Sequence, residues 1–166
     1  MATLIALLSL GIAAILQTTL VVRINLLHGA ADLVLLTMLA WILHEQSERP
    51  WQWAVVAGVI VGFASELPMA LTLAGYLLVT AGVQYVRSRV WQAPLLILFI
   101  ATLLGSFMVL LLDYFYLWAL GTPLPFGQTF NLVILPSVIL NLLLAVPVYG
   151  LMGEIAKFVF PPEVEI

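Results

Sequence analysis

Three acidic residues, Asp32, Glu66 and Asp113, each stand near the end of a different long apolar stretch. A carboxylate so placed is costly unless it is paired, protonated or facing water. Wherever these three acids point is therefore the first place to expect a site. His28 and Asp32 lie four apart and could share a cation with Glu66, but that spacing does not amount to a metal motif, and no metal is expected. Signatures of catalysis are missing as well. The sequence has no Cys, no phosphate-cradling glycine loop, no nucleophile elbow and no His pair with ligand spacing. The expectation is a protein that is not an enzyme and carries no cofactor.

The elements that must position these acids follow from composition. With 64% hydrophobic and 8% charged residues in 166, the chain has too little polar surface to cover a body in water. It reads as an all-α, polytopic membrane bundle in contact with the lipid bilayer. A net charge of −3 with five Lys and Arg residues argues against a nucleic-acid partner. Apolar runs of roughly 17 to 25 residues give about six transmembrane helices, near 2–22, 26–44, 51–67, 69–86, 93–119 and 131–159, in a single domain, 1–166. The first run has no cationic residues ahead of it and no cleavage site behind it, so it reads as a retained helix rather than a signal peptide. The second is polar at its start and broken by Gly29. Its strongly apolar part, from Leu33, covers about 17 Å at about 1.5 Å per residue, so it should begin as an irregular or re-entrant piece. Such backbone survives at membrane depth only where protein or a water-filled cavity satisfies it.

The third and fourth runs are joined by Ser65-Glu66-Leu67-Pro68-Met69, short enough to make them antiparallel neighbours, with Pro68 suited to a helix start. Gly121 to Gly127 forms the clear loop. With the N-terminus inside, Arg49, Arg87, Arg89 and Lys157 fall on the cytoplasmic side and Arg23 outside, which places both termini in the cytoplasm. Trp41, Trp51, Trp53, Tyr85 and Trp91 then form an inner aromatic belt, and Tyr114, Tyr116 and Trp118 an outer one. All three acids gather at the outer end with Arg23 and His28, where a cluster open to the outside is possible.

Each residue also has a plainer role. Asp32 can cap the N-terminus of the second helix. Glu66, at a helix C-terminus, can reach water. Asp113 shares a face with Thr102, Ser106 and Val109, a polar stripe expected to point at other helices. Ala54, Gly58 and Gly62 form a small-residue row that lets another helix come close, and an internal partner is the better expectation. Ser137, Asn141, Ala145, Tyr149 and Gly153 form a second row, in the last helix. Asn141 is expected to hydrogen-bond inside the bundle, to a carbonyl freed by Pro136 or Pro147 or to Gln17 of the first helix. Gln17, Arg23, Asp32, Glu66, Asp113 and Asn141 are thus the pocket candidates, and Ala54, Gly58, Gly62, Ser137 and Tyr149 the packing candidates.

The run Leu16-Gln17-Thr18-Thr19-Leu20 followed by Arg23 and Ala31-Asp32-Leu33, then Gly58 and Gly62 before Glu66, Gly75-Tyr76, and Asn141 to Pro147-Val148-Tyr149, resembles the MreD family of bacterial rod-shape membrane proteins. The likeness spans nearly the whole chain through short motifs. Two positions depart from it: Ala31 stands where the family often has Pro, and Glu66 where it often has Asp. The resemblance implies a fold similar to the substrate-binding S components of energy-coupling-factor transporters. It also implies a non-catalytic inner-membrane subunit of the cell-elongation machinery. Such a subunit binds the single-span MreC and, directly or through others, RodA, a class B penicillin-binding protein and MreB, in support of peptidoglycan synthesis and cell shape. The rival expectation is an S component that takes a small solute from outside. Ala2-x-x-x-Ala6 lends it slight support, as a small-residue contact for a coupling subunit.

Overall fold

A computed structural model describes residues 2–19, 27–44, 50–88, 94–122 and 124–159. Arg23, Arg49, Arg89 and Trp91 lie outside the described residues. The helices are α1 (Ala2–Thr19), α2 (Leu33–Leu43), α3 (Pro50–Ala64), α4 (Met69–Arg87), α5 (Pro94–Ala119), α6 (Phe126–Thr129) and α7 (Leu135–Val159). A π-helical turn, Phe130–Ile134, runs α6 into α7 without a break. There is no strand among the described residues.

Among the described residues, three helical runs are long and apolar enough to cross a membrane: α4, α5 and the stretch Phe126–Lys157. The apolar helices at Leu4–Thr19, Leu33–Leu43 and Pro50–Ala64 are shorter. The expected six crossings are therefore not all supplied by helices of spanning length. The bundle is apolar on the outside too, as Leu8, Ile15, Leu104, Leu143 and Leu151 are all exposed. Its polar residues Thr80, Thr102, Ser106, Ser137 and Asn141 are buried. Apolar outside and polar-tied inside is what lipid as a solvent selects.

The central element is a short one, α2, with 11 residues. Every residue of α2 from Val34 to Leu43 is buried, and the helix touches α1, α3, α5 and α7. A helix that is apolar all round is stable only when covered on every side. Trp41 and Trp53 belong to this core: both are buried and meet edge to face at 6.1 Å. They are thus packing residues and not members of an interfacial belt, whereas Trp51, Tyr85 and Trp118 are exposed.

The other contacts follow from small residues. A Cβ added at Gly58 would stand 2.9 Å from the Cα of Leu73, and one at Gly62 would stand 3.1 Å from the Cα of Met69. The row Ala54, Gly58, Gly62 is therefore the seam along which α3 meets α4, the partner across the short turn. At the far end of α5, the amide of Gly121 donates to Trp118 O and that of Thr122 to Leu117 O. Gly121 has φ 81° there, the left-handed residue that this helix-ending motif requires. Pro125 then starts the next helix, with the amides of Gln128 and Thr129 donating to its carbonyl, so helix begins at Phe126 and the loop is shorter than the sequence suggests.

Candidate functional site: a polar cavity over the start of α2

Residues Leu27 to Asp32 are not helical. Their backbone polar groups have no helical partners of their own and take them from elsewhere. The amide of His28 donates to Leu132 O at 3.1 Å. Leu132 is four residues before Pro136, which has no N–H to offer that carbonyl. The helix widens into its π turn at the same place, with the Leu135 amide donating to Phe130 O. The lost helical bond of α7 is thereby replaced by a bond to the irregular segment. Gly29 permits this approach: a Cβ there would lie 2.6 Å from the Ser137 backbone nitrogen.

Side chains complete the satisfaction of the segment. The Ala30 amide donates to Ser137 Oγ at 3.0 Å and the Asp32 amide to Asn141 Oδ1 at 2.7 Å. Asn141 Nδ2 in turn donates to Ser106 Oγ at 2.8 Å, so one buried side chain joins α2, α5 and α7. Asp32 is the N-cap of α2 and accepts from the Leu35 amide at 2.9 Å. Gln17 Oε1 accepts the Val34 amide at 3.1 Å. Gln17 of α1 and Asn141 of α7 thus both meet the start of α2. Asn141 serves an amide of α2 where a proline-freed carbonyl of its own helix was expected.

The second row of the sequence runs along α2. Ser137 and Asn141 hold its start, Ala145 is buried, Tyr149 stacks on His44 with ring centroids 5.4 Å apart and planes 6° apart, and a Cβ at Gly153 would touch the His44 ring at 3.7 Å. At that far end Arg87 Nη1 donates to Ile42 O at 3.0 Å, giving a cation to the carbonyl end of the helix.

Above the start of α2 lies a half-open cavity of about 310 Å³. Gln17, Asp32, Asp113, Ser137 and Asn141 line it, as does Tyr76, whose hydroxyl donates to Asp32 Oδ2 at 2.7 Å. Glu66 is exposed and is not part of the lining, although its neighbours Ser65 and Leu67 are. His28 is exposed too, and Arg23 lies outside the described residues. The acids do not form one cluster: the cavity takes two and leaves the third at the turn. Among the described residues no three His, Asp or Glu side chains converge as a metal site.

Tyr76 is the residue that sequence reasoning passed over as a site. It is fully buried, and a tyrosine flanked by Gly75 in an apolar helix reads as core. The available signal was its hydroxyl, which at that depth needs a partner. Ala6 is buried in the core. In comparisons with known proteins, no family model, no curated protein and no solved structure matches this chain.

Proposed function

We propose that this protein is a non-catalytic membrane scaffold, an MreD-like subunit of the bacterial cell-elongation complex that seats the transmembrane helix of an MreC-like partner. The observation that carries the reading is how the interior polar atoms are used. Gln17, Asp32, Ser106, Ser137 and Asn141 are engaged in closing the bundle around α2, as expected of a rigid seat for another helix. The sequence likeness points the same way. The shorter helices α1 to α3 complete a six-crossing bundle. The protein lies in the bacterial inner membrane with both termini in the cytoplasm, the orientation that puts Arg87 and Lys157 inside. RodA, the class B penicillin-binding protein and MreB join through this scaffold or its partner.

Co-purification from detergent with an MreC-like single-span protein of the same cell tests the reading. A stoichiometric complex supports it, and full separation of the two proteins would overturn it. Reporter fusions at each terminus test the orientation.

A further inference from the structure

The scaffold reading uses the polar groups beneath the cavity but leaves part of its wall without a role. Asp113, half-buried on α5, makes no hydrogen bond to any described residue. Thr72, on the first turn of α4, is only 6% exposed and lines the same cavity, and its hydroxyl also has no partner among the described residues. A threonine hydroxyl in a helix ordinarily back-bonds to the carbonyl one turn earlier, as that of Thr80 does to Tyr76 O. Thr72 leaves its hydroxyl free for the cavity. Both groups therefore turn unused hydrogen-bonding capacity toward the cavity, where a ligand can take it up.

The character of the wall selects the ligand. Two carboxylates, Asp32 and Asp113, face the space, and among the described residues no Lys, Arg or His lines it. Asp32 already accepts from the Leu35 amide and from Tyr76, which fixes its position, while Asp113 retains its full capacity to accept. The remainder of the wall is largely apolar, with Leu35, Val61, Leu67, Val109 and Leu110. A bare metal ion would need several converging oxygen ligands and would gain nothing from those side chains. A cation with an apolar body uses both halves of the wall. The cavity, about 310 Å³, stands at the small end of the range of roughly 300 to 1,000 Å³ usual for ligand sites.

We infer that this cavity is a binding site for an organic ammonium group, held by Asp113 with Thr72 as a second acceptor and Asp32 opposite, its apolar portion lying against Leu67, Val109 and Leu110. The ammonium can come from a free amine or from the headgroup of an aminophospholipid, and both offer the same three donors. The inference does not depend on the scaffold reading, and either can fail alone.

The test is calorimetric titration of the full chain in maltoside micelles, which are uncharged, with n-butylammonium chloride at constant ionic strength. n-Butanol and sodium chloride serve as comparators. Saturable binding of butylammonium at least about tenfold tighter than of butanol is expected, tenfold being the effect of one modest charge-assisted contact. Asp113→Asn should weaken it about tenfold or more, and Thr72→Val severalfold. Thr72→Val stands in for Asp113→Asn if the latter does not fold. Absence of saturable butylammonium binding, equal affinity for butanol, competition by sodium at equal concentration, or unchanged affinity in the folded variants would each overturn the inference. Micelles doped with phosphatidylethanolamine, compared with phosphatidylglycerol, separate the two sources. Displacement of butylammonium by the former alone identifies the lipid headgroup, and retention identifies a free amine.

Discussion

The Tyr76 hydroxyl donates to Oδ2 of Asp32 at 2.7 Å, joining α4 to the first turn of α2 across 44 residues of sequence. Because the other carboxylate oxygen caps α2 at the Leu35 amide, the tyrosine fixes the rotamer of the capping side chain. One residue thereby serves both as helix cap and as the point at which a second helix is held.

Tyr76→Phe keeps the buried ring and removes this bond. Since the acceptor is a carboxyl group, the loss should be about 1.5–3 kcal/mol, at the upper end of side-chain hydrogen bonds. Tyr76→Ala, which also empties a fully buried site, should cost about 3–5 kcal/mol. Unfolding of the purified protein in mixed micelles, followed by circular dichroism, measures both. Equal stability of the wild type and the Phe variant would show that the bond contributes nothing.

Asn141→Leu should destabilise the bundle more than Asp32→Asn. The leucine leaves the Asp32 amide and Ser106 Oγ without their partner, at about 1–3 kcal/mol for each buried group. Asparagine at 32 still caps the helix nearly as well as aspartate. Thermal melts of the two variants side by side decide the matter, and a lower midpoint for Asp32→Asn would reverse the assignment.

Gly58→Val should separate α3 from α4, because even the first added carbon would come within 2.9 Å of the Leu73 backbone. Gly82→Ala, on the same pair of helices but with nothing within 4 Å of the new carbon, should be neutral or stabilising by up to about 1 kcal/mol. A cysteine cross-link placed between α3 and α4 reads the separation. Loss of cross-linking in both variants, or in neither, would contradict the seam.

Gly29→Ala should be damaging out of proportion to its size. The new methyl would collide with the backbone at Ser137, and neither main chain can yield as a flexible side chain does. The expected cost is about 1–3 kcal/mol, together with faster hydrogen exchange at the amides of His28 and Ala30, whose acceptors lie on the π turn and on α7. Exchange at wild-type rates would argue that the segment is held by other contacts.

The sequence disclosed the seams better than the site. Rows of small or polar residues at four-residue spacing, such as Ala54-Gly58-Gly62 and Ser137-Asn141-Ala145-Tyr149, mark one face of a helix whatever it meets. The polar run around Gly29 showed equally well that α2 starts late. What could not be read was direction around the axis in relation to other helices. Glu66 and Asp113 are both expected at the outer end, yet one lies at the open turn and the other at the cavity, and nothing local to either residue separates them. Tyr76 was hidden for the same reason, its partner being on a different helix. The belt assignment of Trp41 and Trp53 failed because aromatic rings near a helix end suit both an interface and a core, and the enclosure of α2 decides for the core. The helix lengths differ where caps intervene, as at Asp32, which delays α2, and at Pro125, which starts α6 early.

The bonds that quiet the start of α2 also set an order of events during synthesis. Ser137 and Asn141 emerge from the ribosome 107 and 109 residues after the amides they accept. Until then the start of α2 holds polar backbone whose partners lie on α7. Emergence of α7 is therefore the moment at which this part of the fold locks. A truncation that ends before Ser137 would leave a ready substrate for membrane proteases in place of a smaller bundle.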